Sequence, residues 1–436
     1  MELGNAQGNL PLCLPAQSTK VGLWSITLLR GLAALWVCLS HGDGLWWRAV
    51  PDLFFGNARD FFSTQPVLRI VSGLLFGMGF LGVPLFFVIS GFCIHLPQAG
   101  KSDPLDFRVF AIRRFFRIYP LYIAVVIVCF ALLTLRFGWG GIPNLNLTNL
   151  LGHLVFWHYA DGSAANAGMG ISPPMWTLAI EVQFYILYAI TLPVLRRVGL
   201  GRCAAIGLGI DIAYRMGWYS TGLFYYDDVP RFVFPARLGA IRFGEWLLGA
   251  WVAELYVTGR LRQWCGALKP SALVGGGLLC IASGVALCAA FGLRAHTTDV
   301  PAALGFMLVL VGAIAWESSQ GNIAVGQGFW ARLASAVGDR SYSLYLVHLT
   351  VMAGVMDLWV RFRHIADKNA PRGSWEYFLV VLAGVALTFV AVEMTYRLIE
   401  MPSHRLARRL ARKLAMDGAS QDARQSLSMA GQTLSK

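Results

Sequence analysis

The chain has 436 residues, of which 56% are hydrophobic and only 14% charged, and its mean hydropathy is +0.58. A soluble domain carries roughly a quarter charged residues, so an ordinary soluble protein is excluded. The formal net charge of +13 would suggest nucleic acid as a partner on a soluble surface, but Lys and Arg collect on the cytoplasmic loops of membrane proteins, which explains the excess without one.

Residues 1–19 hold one acid, no base and no apolar core long enough for a signal peptide, so residues 1–22 read as an uncleaved, flexible cytoplasmic tail. Crossing about 30 Å of hydrocarbon takes about 20 apolar residues in a helix, and long apolar runs select helices over a closed barrel. Ten such runs occur, at approximately 23–41, 77–97, 118–137, 177–197, 202–217, 236–257, 272–293, 301–317, 341–360 and 377–397. The run at 202–217 is the weakest, being short and carrying Asp211 and Arg215. The expected fold is all-α, a polytopic transmembrane bundle of about ten helices within residues 23–402.

With the N-terminus inside, the inner segments hold 22 basic residues and the outer ones nine, which places both ends in the cytoplasm. The outer loop with Arg361, Arg363, Lys368 and Arg372 runs against this bias, so the last two helices are the least constrained part of the topology. Residues 148–160 are too short to span and are expected at the outer interface, with Trp157 and Tyr159 at headgroup level. The basic amphipathic stretch 403–415 is expected on the anionic inner leaflet, and 416–436 is polar and reads as disordered, so that 403–436 forms a cytoplasmic tail.

The eight cysteines form no C-x-x-C pair and lie mostly in apolar runs, so neither disulfides nor a metal site is inferred. No P-loop, dinucleotide fingerprint or H-E-x-x-H motif is present, so nucleotide hydrolysis and zinc proteolysis have no support.

Ionisable side chains inside a membrane are costly and mark function by default. Arg30 and His41 in the first run are 11 residues apart, which at about 100° per residue is about 20° past three full turns, with an axial separation of about 16 Å. They therefore share one face, Arg30 toward the inner side and His41 near the outer end. Glu181 falls about one turn inside the outer boundary, a depth matching His41. A carboxylate there could make His41 a general base, or Glu181 could instead pair with an arginine or sit at a helix N-terminus. Arg113, Arg114 and Arg117 lie at the inner end of the third run, near the level of Arg30. Their guanidinium groups suit phosphate, although plain positive-inside anchoring explains them from composition alone. His348 has no acid at a spacing that would make a hydrolase triad with Ser341 or Ser343, and reads as a packed or hydrogen-bonding histidine. Asp211, Arg215, Arg237, Arg242, Glu245, Glu254 and Glu393 also fall within helices, where some must pair with each other.

Several segments occur in an order that is similar to a known family: LRGLAALWVCLSH ending at His41, GVPLFFVISGF at 82–92, RRFFRIYPLY at 113–122, WTLAIEVQFYIL at 176–187, SYSLYLVH at 341–348 and YRLIEMP at 396–402. Together they resemble the acyltransferase 3 family of integral membrane acyltransferases, which O-acylate polysaccharides, lipopolysaccharide and other glycans. The resemblance implies an acyl-CoA co-substrate on the cytoplasmic side, acetyl by default, with no bound cofactor. It implies catalysis at His41 and CoA contacts from Arg30, Arg113, Arg114 and Arg117; Glu181 is expected as the catalytic partner of His41 from its depth, and Tyr119, Trp176 and His348 are expected as further substrate-contacting residues. It further implies a glycan or lipid-linked saccharide acceptor and a bacterial inner membrane. Some members carry an esterase-like domain after the membrane part; none is visible within these 436 residues, so this chain or a separate partner is expected to complete transfer. The outer segments 42–76 and 138–176 match no quoted motif and are expected to set acceptor choice. A transporter of an acyl or glycan substrate, or a structural protein with ion-paired helices, would use the same intramembrane charges.

Overall fold

The computed structural model describes residues 23–41, 77–137, 147–156, 175–220, 238–265, 268–291, 298–320, 328–363 and 375–434, with side chains left out at 136–137, 148–149, 218–220 and 418–434. The expectations for residues 1–22, Trp157, Tyr159, Arg237, Lys368, Arg372 and most of both outer segments therefore lie outside the described residues.

The described residues form helices and no strand. In chain order they are α1 (Trp24–His41), a 3₁₀ turn (Gly79–Leu81) leading into α2 (Gly82–His95), α3 (Phe107–Phe137), a short α4 (Leu147–Leu154), α5 (Met175–Val198) and α6 (Leu200–Ser220). There follow α7 (Gly239–Val257), a short α8 (Leu261–Cys265), α9 (Pro270–Ala290), α10 (Asp299–Ser319), α11 (Phe329–Asp339), α12 (Ser341–Phe362) and α13 (Trp375–Thr395). A π-helical turn (Tyr396–Glu400) then leads into α14 (Met401–Leu434). Among the described residues seven helices are long and apolar enough to cross a membrane, and the stretch Gly79–His95 is apolar but shorter. The chain is an all-α, multi-pass integral membrane bundle. Large apolar side chains such as Leu135, Ile190, Leu279 and Phe362 stand exposed around it, as a surface solvated by lipid requires.

Close packing of the central helices depends on small residues. A Cβ on Gly91 of α2 would overlap the carbonyl oxygen of Trp246 in α7, and one on Gly249 of α7 would overlap that of Val88 in α2. The backbones thus meet directly, the arrangement by which membrane helices gain van der Waals contact without a hydrophobic drive between them. Beside this seam, Asp211 and Arg215 of α6, Arg242 and Glu245 of α7 and Asp299 of α10 form one buried ionic cluster. Arg242 donates to both Glu245 oxygens at 2.8 Å, Arg215 reaches Asp211 at 2.7 Å, and Asp299 Oδ2 lies 3.3 Å from Arg215 and 3.2 Å from Arg242. This cluster explains how the weak run at 202–217 tolerates its two charges: they are paired across three helices.

Helix α1 is fixed from both sides. The carboxylate of Glu317 at the end of α10 accepts the otherwise free N–H groups of Trp24 (2.8 Å) and Ser25 (2.9 Å), so a side chain of another helix caps α1. Gly338 at the end of α11 packs so closely on Thr27 that a Cβ there would overlap the Thr27 carbonyl.

The C-terminal segment differs from expectation. Residues 401–434 are one continuous helix, including the 416–434 stretch expected to be disordered. Its first turns pack along α3 with Ala407 and Ala411 buried, so 403–415 contributes to the protein interior as well as carrying basic residues outward. Small residues four apart form the docking stripe on an otherwise basic helix.

Candidate active site

Helices α1, α2, α3, α5, α12 and α14 enclose a cavity of about 720 Å³, within the range of small-molecule and cofactor sites. One wall is cationic, with Arg30 from α1, Arg113, Arg114 and Arg117 from α3, and His404 and Arg408 from α14; Glu181 and Tyr185 of α5 and Ser90 of α2 face them. The arginines expected from the sequence therefore converge on one space, together with two α14 residues the sequence reading assigned to the lipid surface.

Each arginine is held in a different way. Arg30 donates from Nε (3.0 Å) and Nη2 (2.7 Å) to the Gly338 carbonyl, with Asp339 more distant at 3.9 Å. Arg117 donates to Glu400 (3.2 Å) and lies 3.1 Å from His404 Nε2, with its guanidinium over the Tyr342 ring at 5.6 Å. Glu400 is buried in the π turn, where its other oxygen accepts from Ser343 at 2.7 Å. Such a turn adds a residue to the helix and is frequent at functional sites. Arg114 lies between the rings of Phe110 and Tyr185, and its buried Nε has no hydrogen-bond partner among the described residues. Arg113, Arg114 and Arg408 form no ion pair among the described residues. Positive charge therefore exceeds negative on this wall, which fits a polyanionic ligand with phosphate groups.

Glu181 and His41 do not pair. Glu181 Oε1 accepts from Ser90 Oγ (2.9 Å) and Tyr185 (2.5 Å), and Trp246 Nε1 donates to the same Ser90 oxygen at 3.2 Å. Glu181 lines the cavity beside the arginines and His41 does not, and α2 stands against Glu181 and supplies its partner. His41 instead meets His348 of α12, with Nδ1 3.1 Å from Nε2 and ring planes 23° apart. His348 is completely buried and its Nδ1 lies 2.9 Å from the Leu344 carbonyl, while His41 is exposed at the end of α1.

Neither histidine lines the cavity, whose wall on this side includes Tyr345, one turn before His348. The Tyr345 hydroxyl is 2.7 Å from Thr177 of α5. Tyr119 and Trp176 also lie off the cavity wall. Tyr119 stacks on Phe115 with centroids 4.7 Å apart, and the Arg242 guanidinium lies 6.0 Å from the Trp176 ring. Of the expected substrate-contacting residues, Arg30, Arg113, Arg114 and Arg117 reach the cavity, whereas Tyr119, Trp176 and His348 do not. Glu400, His404 and Arg408 were missed, although Glu400 stands within the YRLIEMP motif.

Comparison with known proteins accords with this geometry. Residues 23–393 match the acyltransferase domain family. The chain is similar to the peptidoglycan O-acetyltransferase OatA of Listeria monocytogenes, with 26% identity over 351 residues, covering 74% of this chain and 51% of that protein. It is also similar to the exopolysaccharide production protein ExoZ of Rhizobium meliloti, with 28% identity over 345 residues, covering 77% of this chain and 93% of that protein. The chain thus spans about half the length of the Listeria relative. No solved structure matches. The chain belongs to the acyltransferase 3 family of membrane proteins, whose acyltransferase domain it matches over residues 23–393.

Proposed function

We propose that the protein transfers an acetyl group from acetyl-CoA to a hydroxyl of a cell-envelope polysaccharide in a bacterial inner membrane, with both termini cytoplasmic. The observation that carries the reading is the division of α1 between two chemistries. Arg30 joins the cationic cavity toward the start of the helix, and about 16 Å further along it His41 presents an exposed imidazole. The donor's phosphates would occupy the arginine wall, and its flexible arm would run along α1 past Tyr345 to bring the thioester to His41.

His41 then removes the proton from the acceptor hydroxyl as that oxygen attacks the thioester carbonyl. The new C–O bond forms, the C–S bond breaks, and CoA leaves as a thiolate that is reprotonated from the solvent side of the cavity. His41 returns its proton to water. The similarity to a peptidoglycan O-acetyltransferase and to an exopolysaccharide production protein supports a glycan acceptor. Purified protein in lipid nanodiscs, given acetyl-CoA and an acceptor glycan, should release free thiol in proportion to ester formed. Binding of either substrate with no thiol release in the presence of both would favour a transporter instead.

A further inference from the structure

The His41–His348 contact fixes more than proximity. A backbone carbonyl can only accept a hydrogen bond, so the 2.9 Å contact with the Leu344 oxygen requires the proton of His348 to sit on Nδ1. His348 is fully buried with no acid among its hydrogen-bond partners, so it is neutral and its Nε2 carries a lone pair. That lone pair, 3.1 Å from His41 Nδ1, requires His41 to donate there. A neutral His41 then carries its proton on Nδ1, and its Nε2, which has no partner among the described residues, is bare.

We infer that His348 is a positioning residue that sets the tautomer and ring orientation of His41, so that Nε2 is the nitrogen that receives the acceptor's proton. This rests on the reading of His41 as general base. The chain Leu344 carbonyl, His348, His41 does for this base what a carboxylate does in a hydrolase triad, with a neutral acceptor in place of a charge. When His41 Nε2 takes the proton, the imidazolium keeps its Nδ1–H directed at the His348 lone pair, and no proton passes to His348. A neutral partner also avoids placing a carboxylate where no cation is available to pair with it in the resting enzyme. The ring of His348 is held by the i−4 carbonyl of its own helix, so the geometry does not depend on loop conformation.

The test compares His348→Gln with His348→Met. These side chains are nearly equal in volume, but only Gln offers an acceptor where His348 Nε2 stands. In folded, purified enzyme His348→Met should lower kcat by about 100-fold or more, in the range that general-base catalysis contributes, with KM for acetyl-CoA unchanged. His348→Gln should recover most of that loss. Equal kcat for both variants, whether wild-type or equally reduced, would overturn the inference, as would a change confined to KM. Independently of any variant, diethyl pyrocarbonate acylates bare imidazole nitrogens, so peptide mapping of the modified wild-type protein should find the label on His41. An unlabelled His41 would show that its outward nitrogen is protonated and would overturn the assignment. The underlying reading fails separately: it is lost if His41→Ala retains transfer, whereas an inactive His41→Ala beside a fully active His348→Met removes only the role of His348.

Discussion

Arg117 of α3 and Glu400 of the π turn form an ion pair at 3.2 Å, with the carboxylate almost completely buried and the guanidinium lining the cavity. The second Glu400 oxygen is occupied by Ser343 of α12, so one carboxylate ties three elements together at the arginine wall. A buried acid with two donors restricts the guanidinium to one orientation. Glu400→Gln keeps the shape but removes the charge and leaves one acceptor oxygen where Arg117 and Ser343 each use one. It should raise KM for acetyl-CoA about tenfold, equal to about 1.4 kcal/mol, with a smaller effect on kcat, in steady-state assays of purified protein.

Arg408 lies on the helix that the sequence assigned to the lipid surface, yet it lines the cavity and has no acidic partner among the described residues. A charge-assisted hydrogen bond to phosphate is worth about 1.5–3 kcal/mol, so Arg408→Ala should weaken CoA binding about tenfold to a hundredfold. Binding of desulfated or dephosphorylated analogues would report which donor group it meets. Isothermal titration of the wild-type and variant proteins with CoA measures this, and Arg412→Ala, whose residue does not line the cavity, should bind as wild type.

Glu317 acts as the cap of α1, receiving Trp24 and Ser25 N–H groups from a residue nearly 300 positions away in the chain. Loss of a cap costs about 0.5–2 kcal/mol. Glu317→Ala should therefore lower the thermal midpoint of the detergent-solubilised protein by a few degrees, and Glu317→Gln, which retains an acceptor, should lower it less.

Gly338 supplies the carbonyl that both Arg30 bonds use and sits where any Cβ would overlap Thr27. Gly338→Ala must separate α1 from α11, since the obstacle is backbone and cannot rotate away. Acetyl-CoA affinity should fall through displacement of Arg30, together with a reduced thermal midpoint, whereas Gly354→Ala, with open space around it, should be neutral in both measurements.

The helices were legible because apolar length and 3.6-residue periodicity are local properties, and every run of the sequence reading overlaps a helix. The meeting of Arg113, Arg114 and Arg117 with Arg30 was legible for the same reason, and all four line one cavity. The partners were not. His348 is 307 residues from His41, and Ser90 is 91 residues from Glu181; a depth expected from helix position does not say which neighbouring helix a side chain faces. The tail misled in a different way. Its basic residues are what a leaflet-bound helix shows, and the alanines at 407 and 411 that dock it on α3 carry too little hydrophobicity to stand out in the pattern.

If His41 performs the proton transfer while the arginine wall independently binds the donor, the two functions separate in a single variant. Acetyl transfer to a glycan acceptor and CoA binding are measured together on one preparation of folded His41→Ala protein in nanodiscs. Binding should equal wild type while transfer falls by about two to four orders of magnitude. Transfer at the wild-type rate in that preparation would show that His41 is not the base.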